Sequence, residues 1–237
     1  MSVLHYLNAF GDNGKLHRQI FTYTPSLEAA VQGPTIGVAC NADPTIYADT
    51  EALLTIDNTA SRTSGDNHFV IPVQIEMWST VRGTAGTFAA VRFVLDNATR
   101  WSSGGATLVA ASTYYDTLTT YTNTTPKGQI HFGDLTCTTN TAQKIAYESL
   151  LQAGTTIFAI GDKHIFSFGE VAAAGSSRLQ LTTDIAEPGV YLHSVPLMKV
   201  GPGCSLLVQP LFTDMSAAAS FGIAVVTLEL GHPRETA

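Results

Sequence analysis

Charge is scarce in this chain: only 13 % of its 237 residues are Asp, Glu, Lys or Arg, roughly half the share usual in a globular protein. Long solvated helices need charged faces and are disfavoured. The charge that is present sums to −7, with an isoelectric point near 5.4. No cluster of Lys or Arg offsets that balance, so neither a phosphate backbone nor an anionic lipid surface meets an attractive field. No nucleic-acid or membrane partner is expected. Cysteine is equally sparse. Cys40, Cys137 and Cys204 are odd in number and far apart, without a Cys-x-x-Cys spacing, which argues against a disulfide framework or a zinc site and leaves three buried thiols. No uninterrupted apolar run approaches the ~18 residues of a membrane span. MSVLHYLNAF also lacks a charged segment followed by an apolar one, so folding in a cytoplasm is the expectation.

Signatures of chemistry are missing too. His5, His17, His68, His131, His164, His193 and His232 include no pair at i, i+2 or i, i+4, the spacings that put two imidazoles on one metal. The clustered His and Glu ligands of a cupin are absent. Asn41, Asp43, Asp49 and Glu51 form the densest acidic patch, but their spacing matches no cation loop and reads as solvated loop. No Ser lies in a Gly-x-Ser-x-Gly elbow, no Cys has an activating signature, and Asp184 with Glu187 sits beside the turn Pro188-Gly189. The sequence therefore predicts no catalytic residue, metal ligand or cofactor. Trp78, Trp101, Tyr114, Tyr115 and Tyr121 supply rings that could stack on a sugar, or equally fill strand cores.

What the chain has in abundance is threonine, glycine, alanine and short alternating apolar runs, the chemistry of sheets. Ser2–Phe10 and 15–23 flank the turn Gly11-Asp12-Asn13-Gly14 and read as a hairpin. Thr24-Pro25 opens two helical turns, and the pattern is then irregular to Asn67, with Thr50–Ile56 as a short strand. Phe69–Trp78 alternates cleanly, Phe69, Ile71, Val73, Ile75 and Met77 on one face, with Pro72 marking an edge or a bulge. Thr87–Leu95 alternates again and is predicted to pair with it. Asn140 as cap, with Ala142, Ile145, Ala146, Ser149 and Leu150 on one face, predicts a crossover helix over about 141–152. Gly161-Asp162-Lys163 predicts a hairpin between Thr155–Ile160 and His164–Phe168.

The closing segment organises the rest. Ser205–Phe212 and Phe221–Leu230 read as a terminal antiparallel pair, the second strand apolar on both faces and only Thr227 and Glu229 looking wet. The pattern as a whole predicts an all-β fold: a two-sheet antiparallel jelly-roll sandwich with one short crossover helix and an irregular N-terminal region, divided into a hairpin/arm region (1–67) and a jelly-roll domain (68–237). One face of the last strand needs cover from outside a two-layer sandwich, supplied either by a neighbouring subunit or by the N-terminal arm or the 141–152 helix of the same chain. Phe221, Ile223 and Val225 are the predicted subunit interface of a homotrimer.

Leu197–Leu230 (LMKVGPGCSLLVQPLFTDMSAAASFGIAVVTLEL) runs from a Gly-Pro turn into an apolar strand, an Ala/Ser-rich loop and a terminal apolar strand. This arrangement resembles the jelly-roll cement or decoration proteins of tailed bacteriophages. The resemblance implies a trimeric, non-enzymatic virion protein made in the host cytoplasm, seated on the capsid exterior and holding the major capsid protein together. The alternative is a receptor- or carbohydrate-binding jelly-roll module, a fibre head or a tumour-necrosis-factor-like domain.

Overall fold

The computed structural model describes residues 17–23, 36–37, 47, 49–62, 68–81, 88–108, 111–112, 126–139, 142–153, 161–169, 189–212 and 220–231. The elements among them are thirteen β-strands: β1 His17–Tyr23, β2 Ile36–Gly37, β3 Glu51–Asn58, β4 Phe69–Val81, β5 Phe88–Asp96, β6 Trp101–Leu108, β7 Ala111–Ser112, β8 Gly128–Cys137, β9 Lys144–Ala153, β10 Lys163–Phe168, β11 Val190–Val195, β12 Ser205–Phe212 and β13 Ser220–Gly231. They form a seven-stranded sheet, β11-β10-β4-β13-β1-β7 with β2 also on β13, and a six-stranded sheet, β6-β8-β3-β12-β5-β9. The all-β expectation holds. Pairing is antiparallel except for β10 with β11, which is parallel.

Four antiparallel pairs are nested in sequence: β1 with β13, β3 with β12, β4 with β10, and β5 with β9. Successive pairs fall in alternate sheets. This winding overturns two expected neighbour pairs. β4 and β5 lie in different sheets, as do β12 and β13, because each alternating strand buries its apolar face against the opposite layer. Ile75 and Met77 of β4 share one core with Val91 and Phe93 of β5, and Leu206 and Val208 of β12 share it with Phe221, Ile223 and Val225 of β13. Phe93 sits near the centre, its ring centroid 5.1 Å from Phe166, 5.6 Å from Phe168 and 5.8 Å from Tyr147.

The predicted helix over 141–152 is also corrected. Lys144–Ala153 is the edge strand β9, paired with β5 from Lys144↔Leu95 to Ala153↔Phe88, with register shifts that leave Ala146 and Leu151 without a direct partner. A bulge turns the strand by one extra residue. Ala146 and Tyr147 therefore both reach the core, followed by Leu151, and the apolar spacing of a twice-bulged strand imitates that of a helix. Pro72 is absorbed in the same way: Thr227 pairs with Pro72 and Val226 with Gln74, which leaves Val73 as a bulge. Ile75 and Met77 consequently face the core, while Ile71 and Val73 join Leu228 and Leu230 in a small cluster of their own. The single apolar face read from Phe69 to Met77 is thus split at the bulge.

The expected boundary at 67/68 divides a continuous structure. β1 is a strand of the larger sheet, and β3 lies between β8 and β12 in the smaller one, with Ala52 to Asn58 all buried. Leu53, Leu54 and Ile56 are 0 % exposed. The hairpin partner Thr155–Ile160 and the helical turns after Thr24 lie outside the described residues.

Candidate functional site

Phe221, Ile223 and Val225, the expected subunit interface, are at most 1 % exposed in the single chain and belong to its core. The smaller sheet covers them. An interface through these positions would require the two layers to separate, so the assignment is corrected: they hold the sandwich together. Thr227 and Glu229 follow on the same inward face and are 0 % and 2 % exposed instead of wet. Glu229 is satisfied by three donors at 2.8 Å each, the backbone N–H groups of Lys127 and Gly128 and the His68 ring Nε2. Because Gly128 opens β8, this carboxylate ties the larger sheet to the smaller one. A buried carboxylate needs such partners to stay in a low-dielectric site.

The opposite side of the sandwich, where edge strands β9 and β11 meet, carries a polar chain that one-dimensional spacing could not show. Ser149 Oγ lies 3.2 Å from His193 Nδ1, and His193 Nε2 lies 3.1 Å from His164 Nδ1. Ser149 comes from β9, His193 from β11 and His164 from β10, all three buried. Tyr191 stacks on His164 with centroids 4.7 Å apart, and Phe166 on His193 at 4.6 Å. The two histidines are 29 residues apart. Their only signal in the sequence is that each occupies an inward position of an alternating strand. In the neutral state both hydrogen bonds run in one direction along the chain, fixed by the two histidine tautomers, and the chain ends at His164 Nε2, which is buried without a hydrogen-bond partner among the described residues. The chain joins the two sheets at the edge where no backbone ladder does.

Burial lowers the His193 pKa from 6.5 to about 4 and raises that of Asp57 from 3.8 to about 6. These shifts act on stability with opposite signs. His193 contributes stability above pH 6.5 that is lost as the pH falls to about 4, whereas Asp57 contributes stability below pH 3.8 that is lost as the pH rises through about 6. Each is worth roughly 3 kcal/mol at 1.4 kcal/mol per unit. Over the shared window they nearly cancel. The expected result is that Asp57→Asn exposes a steep loss of stability on acidification from pH 7 to 4, while His193→Gln gains stability over the same range. Urea midpoints measured at each pH check both signs, and parallel profiles for the two variants would contradict them.

The remaining predicted residues are dispersed. Among the described residues no group of three His, Cys, Asp or Glu is placed to hold a metal ion. Asp49 pairs with Arg92 at 3.2 Å and accepts from Gln143 at 2.6 Å, while Asn41, Asp43, Asp184 and Glu187 lie outside the described residues. Cys137 is buried with its thiol pushed up to about 12 by burial, and Cys204 is half-buried. Trp101 is stacked on His131 at 3.8 Å and donates to the Gly104 carbonyl at 3.1 Å. Trp78 lies elsewhere, on the outer face of the larger sheet, and Tyr114, Tyr115 and Tyr121 are outside the described residues. The two tryptophans thus lie in different sheets.

The large exposed apolar side chains among the described residues are Ile145 at 58 %, Leu192 at 39 % and Leu197 at 39 %. Ile145 is on β9 and Leu192 on β11, edge strands of different sheets, and each points away from the shared core, so the two lie on opposite outer faces; Leu197 follows just beyond β11. No family model, curated protein or solved structure matches this chain.

Proposed function

We propose that the chain is a jelly-roll structural protein of a virion, non-enzymatic, which decorates and cements a tailed-phage capsid as a homotrimer seated on the major capsid protein. The observation that carries the reading is the nesting of β1–β13, β3–β12, β4–β10 and β5–β9, with successive pairs in alternate sheets. A long hairpin rolled in this way fits the winding of a jelly roll, an architecture that capsid proteins use repeatedly, and so supports that reading. Low charge and a negative balance fit a partner made of protein, not nucleic acid. The capsid exterior is the proposed location, because the acidic chain has no electrostatic reason to face packaged genome.

With Phe221, Ile223 and Val225 in the core, the trimer contact moves to the β9/β11 edge. The apolar area is modest: β9 and β11 are edge strands of the two sheets, and a subunit seated on that edge would cover part of Ile145 on one side and of Leu192 and Leu197 on the other. The expected result of sedimentation equilibrium is a species three times the 25.1 kDa chain. The double variant Ile145→Lys, Leu192→Glu should run as a monomer with an unchanged β-sheet circular dichroism signal. A wild-type monomer at tens of micromolar, or a trimer indifferent to the double variant, would refute this assembly.

A further inference from the structure

On the outer face of the larger sheet, Trp78 of β4 stands directly opposite Gly222 of β13. A Cβ placed on Gly222 would fall 2.1 to 2.4 Å from Cε2, Cζ2 and Nε1 of the indole. The ring therefore lies across the glycine, one face on the backbone, as a cross-strand aromatic covering a bare position does. Trp78 is half-buried, and among the described residues its ring meets no other ring and its Nε1–H no acceptor.

Beside the ring runs a polar row. Lys163 is the β10 residue paired with Trp78, and Glu76 lies two positions along β4 on the same face. Gln74 Nε2 donates to Glu76 Oε1 at 2.9 Å, and Lys163 Nζ donates to Glu76 Oε2 at 3.2 Å. Gln74, Glu76 and Lys163 are all half-buried. The carboxylate is thus held in place with lone pairs to spare, and the ammonium retains further donors. A flat ring next to a fixed acceptor–donor row of nearly balanced charge is complementary to a neutral sugar, whose C–H face covers the ring while its hydroxyls bond the row.

We infer that the outer face of the larger sheet binds a neutral hexopyranose, stacked on Trp78 and hydrogen-bonded to Glu76 and Lys163. The site is independent of the structural role proposed above.

The chain has two tryptophans, so its amide-correlation NMR spectrum contains two indole N–H signals. Full-length protein titrated with the methyl glycosides of glucose, galactose, mannose and N-acetylglucosamine should shift the Trp78 signal with at least one of them, saturating on the order of millimolar. The Trp101 signal, already bonded to the Gly104 carbonyl, should stay in place. Trp78→Ala would bare Gly222 and can fail to fold. Glu76→Gln is the informative variant instead, expected to weaken the response about tenfold for one lost charge-assisted hydrogen bond, with Trp78→Phe retaining the fold and part of the affinity. No shift with any of the four glycosides, equal shifts of both indoles, or an undiminished response in Glu76→Gln would each overturn the inference.

Discussion

Replacing Ile223 by Asp is expected to abolish folding, not to dissociate folded subunits. Ile223 is 0 % exposed and lies on the inward face of β13 between Phe221 and Val225, in the core that also holds Leu206, Val208 and Phe93. A carboxylate there must either lie charged in an apolar interior or be protonated at a cost. Either way it forfeits the burial of the isoleucine, a total on the order of 5 kcal/mol or more. Since a domain has about 5–15 kcal/mol of stability in all, the variant should lose its sheet signal and its cooperative transition. Ile223→Val, which removes one methyl group, should cost only about 1 kcal/mol. Well-folded monomers from Ile223→Asp would place this residue at a subunit surface and contradict the core described above.

Arg100→Met is expected to be nearly as damaging. Arg100 is 0 % exposed, the largest of the fully buried side chains among the described residues. Its guanidinium pairs with Asp96, donates through Nε to the Thr138 carbonyl, and donates through Nη2 to the Asp49 carbonyl at 2.8 Å. One side chain thereby joins the end of β5, the segment after β8 and the approach to β3. Methionine preserves most of the volume but removes the cation from a buried carboxylate and takes a donor from each of two part-buried carbonyls, a loss of about 3–5 kcal/mol that comes mainly from the stranded carboxylate. Asp57 is affected as well, because Arg100 is one of the groups that hold its pKa down against burial. The expected outcome is a large drop in the urea midpoint without a change in slope, partly recovered when Asp96→Asn removes the stranded charge. A loss below about 1 kcal/mol would mean that the cluster is solvated.

The strand positions were largely legible in the sequence and the connections between them were not. Period-two alternation marks Phe69–Met77, Phe88–Leu95 and Phe221–Val225 as strands whatever they pair with, because alternation is a property of one strand in contact with one core. Which strand lies beside which depends on loops that cross between layers. Hence β4 was expected next to β5, and β12 next to β13, when in each case the two face one another through the core. The helix over 141–152 failed for a local reason, since the bulges at Ala146 and Leu151 break the alternation of β9 and produce helical spacing. The surplus apolar face of β13 was a sound observation given the wrong side. Phe221, Ile223 and Val225 face inward; of the outward residues, Gly222, Ala224 and Val226 lie beside the Trp78 ring and the polar row, and Leu228 and Leu230 are buried in the outer cluster with Ile71 and Val73.

The buried polar chains were illegible for a different reason. Glu229, His164, His193 and Ser149 each look, one at a time, like a wet strand residue or a lone histidine. It takes the parallel β10–β11 pair to bring His193 of β11 against Ser149 of β9, and the β3–β8 pair to bring the start of β8 against Glu229 of β13. Long-range partners of this kind leave no trace in local spacing. Trp78 over Gly222 is an intermediate case: both residues are visible in the sequence, and the β4–β13 register is what unites them.

The central claim, a structural role on the outside of a capsid, is tested most directly by a reconstruction of phage heads assembled with and without the chain. The account predicts three-fold clusters of two-layered density on the outer surface of the shell, present with the chain and absent without it, each contacting neighbouring capsid subunits. Heads indistinguishable in the two preparations, or density confined to the tail, would contradict it.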